Sequence, residues 1–167
     1  LWEPWTSVHH LSNLEDASET GHDATAMVTP SYMTGQIGDA VGFDANQALR
    51  LPKENEYDYD NRMSASVWFR ATSLDVDWQA ILTKGDAAWR FHRHGCAQHV
   101  AFSTNLDTNA ANNQDLEGAT IPLNDWHHAA LLYDNDVKRL IVDGALVMAT
   151  FAGPINKTNA VVAIGEN

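Results

Sequence analysis

A single cysteine, Cys96, stands in 167 residues, so no intrachain disulfide can form and an apolar core must hold the fold. A secreted chain this poor in cysteine points to a bacterial rather than a eukaryotic source. No apolar run approaches the ~20 residues of a helical membrane span. Cationic side chains are scarce: 10 Lys and Arg stand against 22 Asp and Glu, a formal net charge of −12. Such a surface is repelled by polyanions, which excludes nucleic acid and anionic membrane as partners. Apolar residues at helical spacing are missing over any ordinary helix length. Gly-x-Ser-x-Gly, metalloprotease and phosphate-loop motifs are also absent. Repeats and low-complexity tracts are absent as well, and one domain accounts for the length. The chain opens at Leu1 rather than Met, as expected of a piece of something longer.

What is present is strand. Trp126 to Asp134, then Lys138 to Val142, then Ala145 to Thr150 read as three strands of a meander. A short polar turn joins the first two, and Asp143-Gly144 joins the second pair. Asp-Gly between apolar runs is a strong hairpin signal, because a type I′ turn needs positive φ at both central residues. Met63, Ala65, Val67 and Phe69 alternate with Ser64, Ser66, Trp68 and Arg70. Gln79 to Lys84, Trp89 to His94, Val100 to Thr104 and Ala160 to Ile164 are further strands. Ser7 to Ser12 and Val41 to Leu51 carry weaker strand signals, and Asn105 to Gln114 reads as a long polar loop. Short strands with regular turns and no helix predict an all-β, two-sheet antiparallel sandwich.

Blocks of sequence in fixed order resemble the laminin-G-like (concanavalin A-like) jelly-roll domains of bacterial exported multidomain proteins. They are Asp16 to Thr25, Gly35 to Asp44, Ser64 to Thr72 with Trp78 to Asp86, and the Trp126 to Gly144 hairpin region. The resemblance runs from about Val8 to the end, placing the domain at 7–167 and a junction at 1–6. Glu19 and Ala24 stand where the family's first loop has glycines. The family's last strand, which usually follows the "Ile-Gly" of Ile164-Gly165, is not found. Either the chain was cut short there, or another segment or subunit completes the sheet, and an uncovered edge favours self-association. The resemblance implies a structural calcium ion at the rim, with Asp16 and Asp44 as leading ligands and Asp23 and Asp39 beside them. Turn-capping by Asp16 and Asp23 is an equal alternative.

The residues themselves suggest a second cluster. His92 and His94 share one face of a strand with Arg90, and His99 falls across the Gly95 turn. Such a patch suits zinc, or, with Arg90, an acidic sugar; unrelated histidines on a polar face are the plainer reading. Trp78, after the acidic run Asp75 to Asp77, is the best exposed aromatic platform for a sugar ring. Trp68, Trp89 and Trp126 read as packing residues. Jelly-roll glucanases use a Glu-x-Asp-x-x-Glu strand that neither Glu54 to Asp60 nor Asp75-Val76-Asp77 supplies. Cys96 reads as an incidental thiol. The sequence therefore predicts a non-catalytic module of a larger, extracytoplasmic bacterial protein, binding carbohydrate or an extracellular protein through loops 75–78 and 105–115. The alternatives are an assembly module that completes its sheet with another segment or subunit, and an unusual glycan-active hydrolase.

Overall fold

A computed structural model describes residues 5–44, 46–104, 114–151 and 153–166. The meander forms where the turn chemistry places it. Strands β10 (His127–Asp134), β11 (Val137–Val142) and β12 (Ala145–Thr150) are antiparallel neighbours. Asp143 and Gly144 have φ of 49° and 84°, and Asn135 and Asp136 have φ of 45° and 71°. Both hairpins thus carry positive φ at both central residues, which matches the right-handed twist of the flanking strands. Strand β5 (Arg62–Phe69) pairs with β10 and completes a four-stranded sheet in the order β12-β11-β10-β5.

The facing sheet has seven strands, in the order β1-β4-β13-β6-β7-β8-β9. These are β1 (Thr25–Ala26), β4 (Leu49–Leu51), β6 (Ala80–Thr83), β7 (Trp89–Arg93), β8 (His99–Thr104), β9 (Gln114–Thr120) and β13 (Val162–Ile164). A separate hairpin pairs β2 (Ser31–Thr34) with β3 (Asp39–Gly42). Among the described residues the helical content is one 3₁₀ turn at Glu54–Tyr57, and no helix is long and apolar enough to cross a membrane. The chain is an all-β jelly-roll sandwich.

Alternation sorts the side chains. Leu131, Tyr133, Leu140 and Val142 from one sheet meet Trp89, Phe91, Val100 and Phe102 from the other, all buried. The rings of Phe69 and Phe91 bridge the layers edge to face, 5.5 Å between centroids. Burying each of these large apolar groups contributes roughly 1.5–3 kcal/mol. Because Trp89 and Phe91 point inward, Arg90 and His92 lie on the opposite, outer face of the seven-stranded sheet. That parity places the candidate site.

Three expectations differ from the structure. Ser7 to Ser12 forms no strand; it is a loop, held by Val8, whose carbonyl accepts from Ala17 N at 2.7 Å. Strand structure between Val41 and Leu51 stops at Gly42 and resumes at Leu49. Most of the expected 105–114 loop lies outside the described residues, but Gln114 already begins β9, a strand that the polar composition concealed.

Candidate functional site on the seven-stranded sheet

The register of β7, β8 and β9 assembles the cluster. Arg90 sits opposite Ser103 and His92 opposite Ala101, while Ser103 sits opposite Asp115 and Ala101 opposite Glu117. His94 N donates to His99 O at 2.9 Å, which brings the two histidines across the Gly95 turn onto the same end of the sheet. Trp78 lies over this group, its ring 5.6 Å from that of His92 and 5.2 Å from that of His94. Arg90, His92, His94 and His99, grouped by their spacing in the sequence, are therefore neighbours, and Trp78, a separate candidate there, joins them.

Their roles differ. His92 is fully buried, with Nδ1 2.6 Å from Arg93 O and Nε2 2.6 Å from Ser103 Oγ. Burial, with Arg90 adding to it, pushes its pKa down to about 4 against the pull of the Arg93 carbonyl. Both of its nitrogens are committed to these partners, so His92 forms the floor. Arg90 is buried too: it donates to the Asp86 carboxylate and the Trp78 carbonyl. No fixed cation remains there for an acidic sugar.

The outward-facing groups are Trp78, at 41% exposure, with His94, His99 and Glu117. The Glu117 carboxylate lies between the imidazoles, Oε1 3.5 Å from His94 Nδ1 and Oε2 3.7 Å from His99 Nδ1. These spacings exceed a direct hydrogen bond and leave the oxygens open to ligand hydroxyls or water. On its other side His94 Nε2 is 3.2 Å from Asp115 Oδ2, while Ser103 Oγ donates to Asp115 Oδ1.

The rim is held by Arg93. Its guanidinium donates to Ala97 O at 2.9 Å, Cys96 O at 2.6 Å and Val76 O at 2.9 Å, joining the Gly95 turn to the Trp78 loop. Trp78 has φ of 62°, a left-handed conformation uncommon for a bulky residue. Its fixation by the Arg90 bond to its carbonyl orients an exposed aromatic at some conformational cost. Sequence reasoning missed Arg93, Ser103, Asp115 and Glu117. The signal for the last two was the Asp115-Leu116-Glu117 alternation, with a buried Leu116 between two acids.

The remaining candidates lie elsewhere. Trp89 is core, its Nε1 donating to Tyr57 O at 3.2 Å. Trp68 is on the outer face of the four-stranded sheet beside His128, and Trp126 lies under the Arg70 guanidinium. Cys96 is an exposed free thiol.

The implied calcium site does not fit its donors. Asp16 Oδ1 accepts from Val8 N and Ser18 N at 2.9 Å and Oδ2 from His22 N at 3.0 Å, with Ser18 Oγ 2.7 and 2.8 Å from the two oxygens and Thr20 Oγ1 2.8 Å from Oδ2. Three backbone N–H groups thus point at this carboxylate, as they do in a turn cap. Burial alone would raise this carboxyl, but those donors outweigh it and hold the pKa well below the usual range. Asp23 Oδ1 accepts from Asp16 N, and Asp39 and Asp44 are exposed. Among the described residues no three His, Cys, Asp or Glu side chains form a metal-binding group.

A two-sheet jelly roll with an aromatic-edged polar face defines a lectin-like class of β-sandwich. The sequence over residues 43–167 matches the concanavalin A-like lectin/glucanases superfamily, Laminin_G_3, and the chain belongs to that family. No curated protein matches the chain. Among solved structures it is similar to domain 4 of AbnA, a GH43 extracellular arabinanase from Geobacillus stearothermophilus, in complex with arabinotriose. That match has 20% identity and a TM-score of 0.70, covering 93% of this chain and 79% of that one. It is also similar to a botulinum neurotoxin type C structure whose cell entry depends on interaction with two ganglioside molecules. There the identity is 11% and the TM-score 0.62, over 91% of this chain and 45% of that one. At these identities the likeness establishes the fold.

Proposed function

We propose that this domain is a non-catalytic recognition module that binds a neutral, hydroxyl-rich carbohydrate on the outer face of the seven-stranded sheet. The observation that carries the reading is Trp78, half-exposed and fixed above His94 beside the open carboxylate of Glu117. The indole offers a rigid apolar plate for sugar C–H groups. Glu117 accepts from ring hydroxyls, and His94 and His99 each donate or accept according to tautomer. Both arginines nearby are committed to carbonyls and carboxylates, so the site favours neutral sugars over uronates. The arabinotriose named with one structural neighbour is a neutral sugar and supports this class of ligand. The parent molecule is an exported bacterial protein in this reading.

The test is a glycan array, followed by titration calorimetry on any hit. Trp78→Ala is expected to weaken binding about tenfold or more, as loss of a central aromatic anchor does. Glu117→Gln is expected to weaken it less, and a calcium chelator to leave it unchanged. A blank array with folded protein sinks the reading. Release of reducing ends from the bound sugar, abolished in Glu117→Gln, would make the domain a hydrolase instead.

A second reading, an assembly module, is favoured by the outer face of the four-stranded sheet, where Trp68, Leu146 and Met148 are exposed. A monomer at all concentrations in sedimentation would end it.

A further inference from the structure

A cleft of about 460 Å³ opens where the N-terminal segment crosses the start of β5 and the end of β10. It shares no residue with the Trp78 face and belongs to the other sheet. We propose that this cleft is a second carbohydrate subsite, taking one neutral sugar unit.

The walls are built. Tyr59 hydroxyl donates to Thr6 Oγ1 at 3.2 Å, and Thr6 O accepts from Thr20 Oγ1 at 2.7 Å, which fixes the segment carrying Trp5. Trp5 is 44% exposed and lines the cleft with Tyr59, so an aromatic surface is available to a sugar ring. Met63 and Leu132 add apolar floor. The strand register sets Arg62 directly opposite Asp134.

The polar end is selective. Arg62 Nε donates to Asp134 Oδ1 at 3.0 Å, and Asn135 Nδ2 donates to the same oxygen at 2.9 Å. Among the described residues the two Nη groups of Arg62 and Asp134 Oδ2 make no hydrogen bond. A fork of donors and a carboxylate acceptor therefore stand side by side at the cleft, as two adjacent hydroxyls require. The pair is net neutral, which favours neither a uronate nor an amino sugar. The volume lies within the roughly 300–1,000 Å³ of small-ligand sites. Two subsites on different sheets let one domain engage two chains of a polysaccharide, multiplying weak affinities by avidity.

The inference stands independently of the Trp78 reading, and one experiment separates them. The isotope-labelled chain is titrated with arabinotriose, cellotriose and mannotriose to millimolar concentration, observing the Trp5 and Trp78 indole N–H and the Arg62 Nε–H signals. Trp5 and Arg62 signals are expected to shift with at least one sugar and to do so equally in Trp78→Ala. Arg62→Ala, at a 77% exposed side chain that folding does not need, is expected to weaken that response about tenfold. Trigalacturonate is expected to give none. No Trp5 or Arg62 response to any of the three sugars overturns the proposal, as does a response lost in Trp78→Ala or an equal response to trigalacturonate. A Trp78 response alone would overturn the second subsite and leave the first.

Discussion

Asp16 illustrates how much one carboxylate organises. It ties Val8, Ser18, Thr20 and His22 together, and His22 in turn reaches Glu56 Oε2 at 3.1 Å, beside the 3₁₀ turn. The sequence read this aspartate as either a calcium ligand or a turn cap, and its backbone donors are those of a cap. Asp16→Asn exchanges a charged acceptor for an amide that can accept at one atom only. The variant is expected to lose about 2–4 kcal/mol of stability, because hydrogen bonds to charged groups contribute roughly 1.5–3 kcal/mol each and are not additive. Chemical denaturation with and without calcium checks it. Wild-type stability that rises with calcium and falls with a chelator would restore the metal.

At the scale of elements, legibility followed periodicity. The β10 to β12 meander was readable because apolar alternation and an Asp-Gly turn agree. Strands β7 and β8 were readable too, so the Arg90, His92, His94 and His99 grouping came from spacing alone. Strand β9 was not, since Gln114 to Thr120 places acids, a glycine and a threonine around one buried leucine. Its pairing to β8 makes it a strand, and that long-range contact leaves little local trace. Glu117 and Asp115 were lost with it. The burial of Lys84 at the end of β6 was equally hidden. Lys84 Nζ, fully buried, donates to Glu54 O at 2.6 Å and Ala160 O at 3.3 Å and lies 3.2 Å from Asp58 Oδ1. It stitches the 3₁₀ turn to the approach to β13. Lys84→Met strips Asp58 of its cation, leaving it the Thr158 N–H, and strands two carbonyls, so a loss of about 3–5 kcal/mol in urea unfolding is expected. A change under about 1 kcal/mol would mean the stitch is redundant.

The two sheets together create a property that neither has alone. Lys138, on the inner face of β11, is fully buried where the layers meet, its Nζ 5.2 Å from the Phe102 ring and 4.2 Å from that of Phe151. Burial pushes its pKa from 10.5 down to about 7, against the attraction of Asp115. Between those two values the unfolded chain binds more protons at this site than the folded one, so stability attributable to Lys138 rises with pH across the window. Below about pH 7 the ammonium is charged in both states, and its buried cost is at its full value. The aromatic faces reduce that cost by favouring the cation. Lys138→Met removes the term, so its stability relative to wild type is expected to fall steadily between about pH 7 and pH 10.5. The net charge of −12 makes both proteins repel themselves more as pH rises, but this contribution cancels in the difference. Urea unfolding of the pair across the window gives the difference directly. A gap that stays constant with pH would show that Lys138 keeps its proton in the core, held by Phe102, Phe151 and Asp115 more strongly than burial repels it.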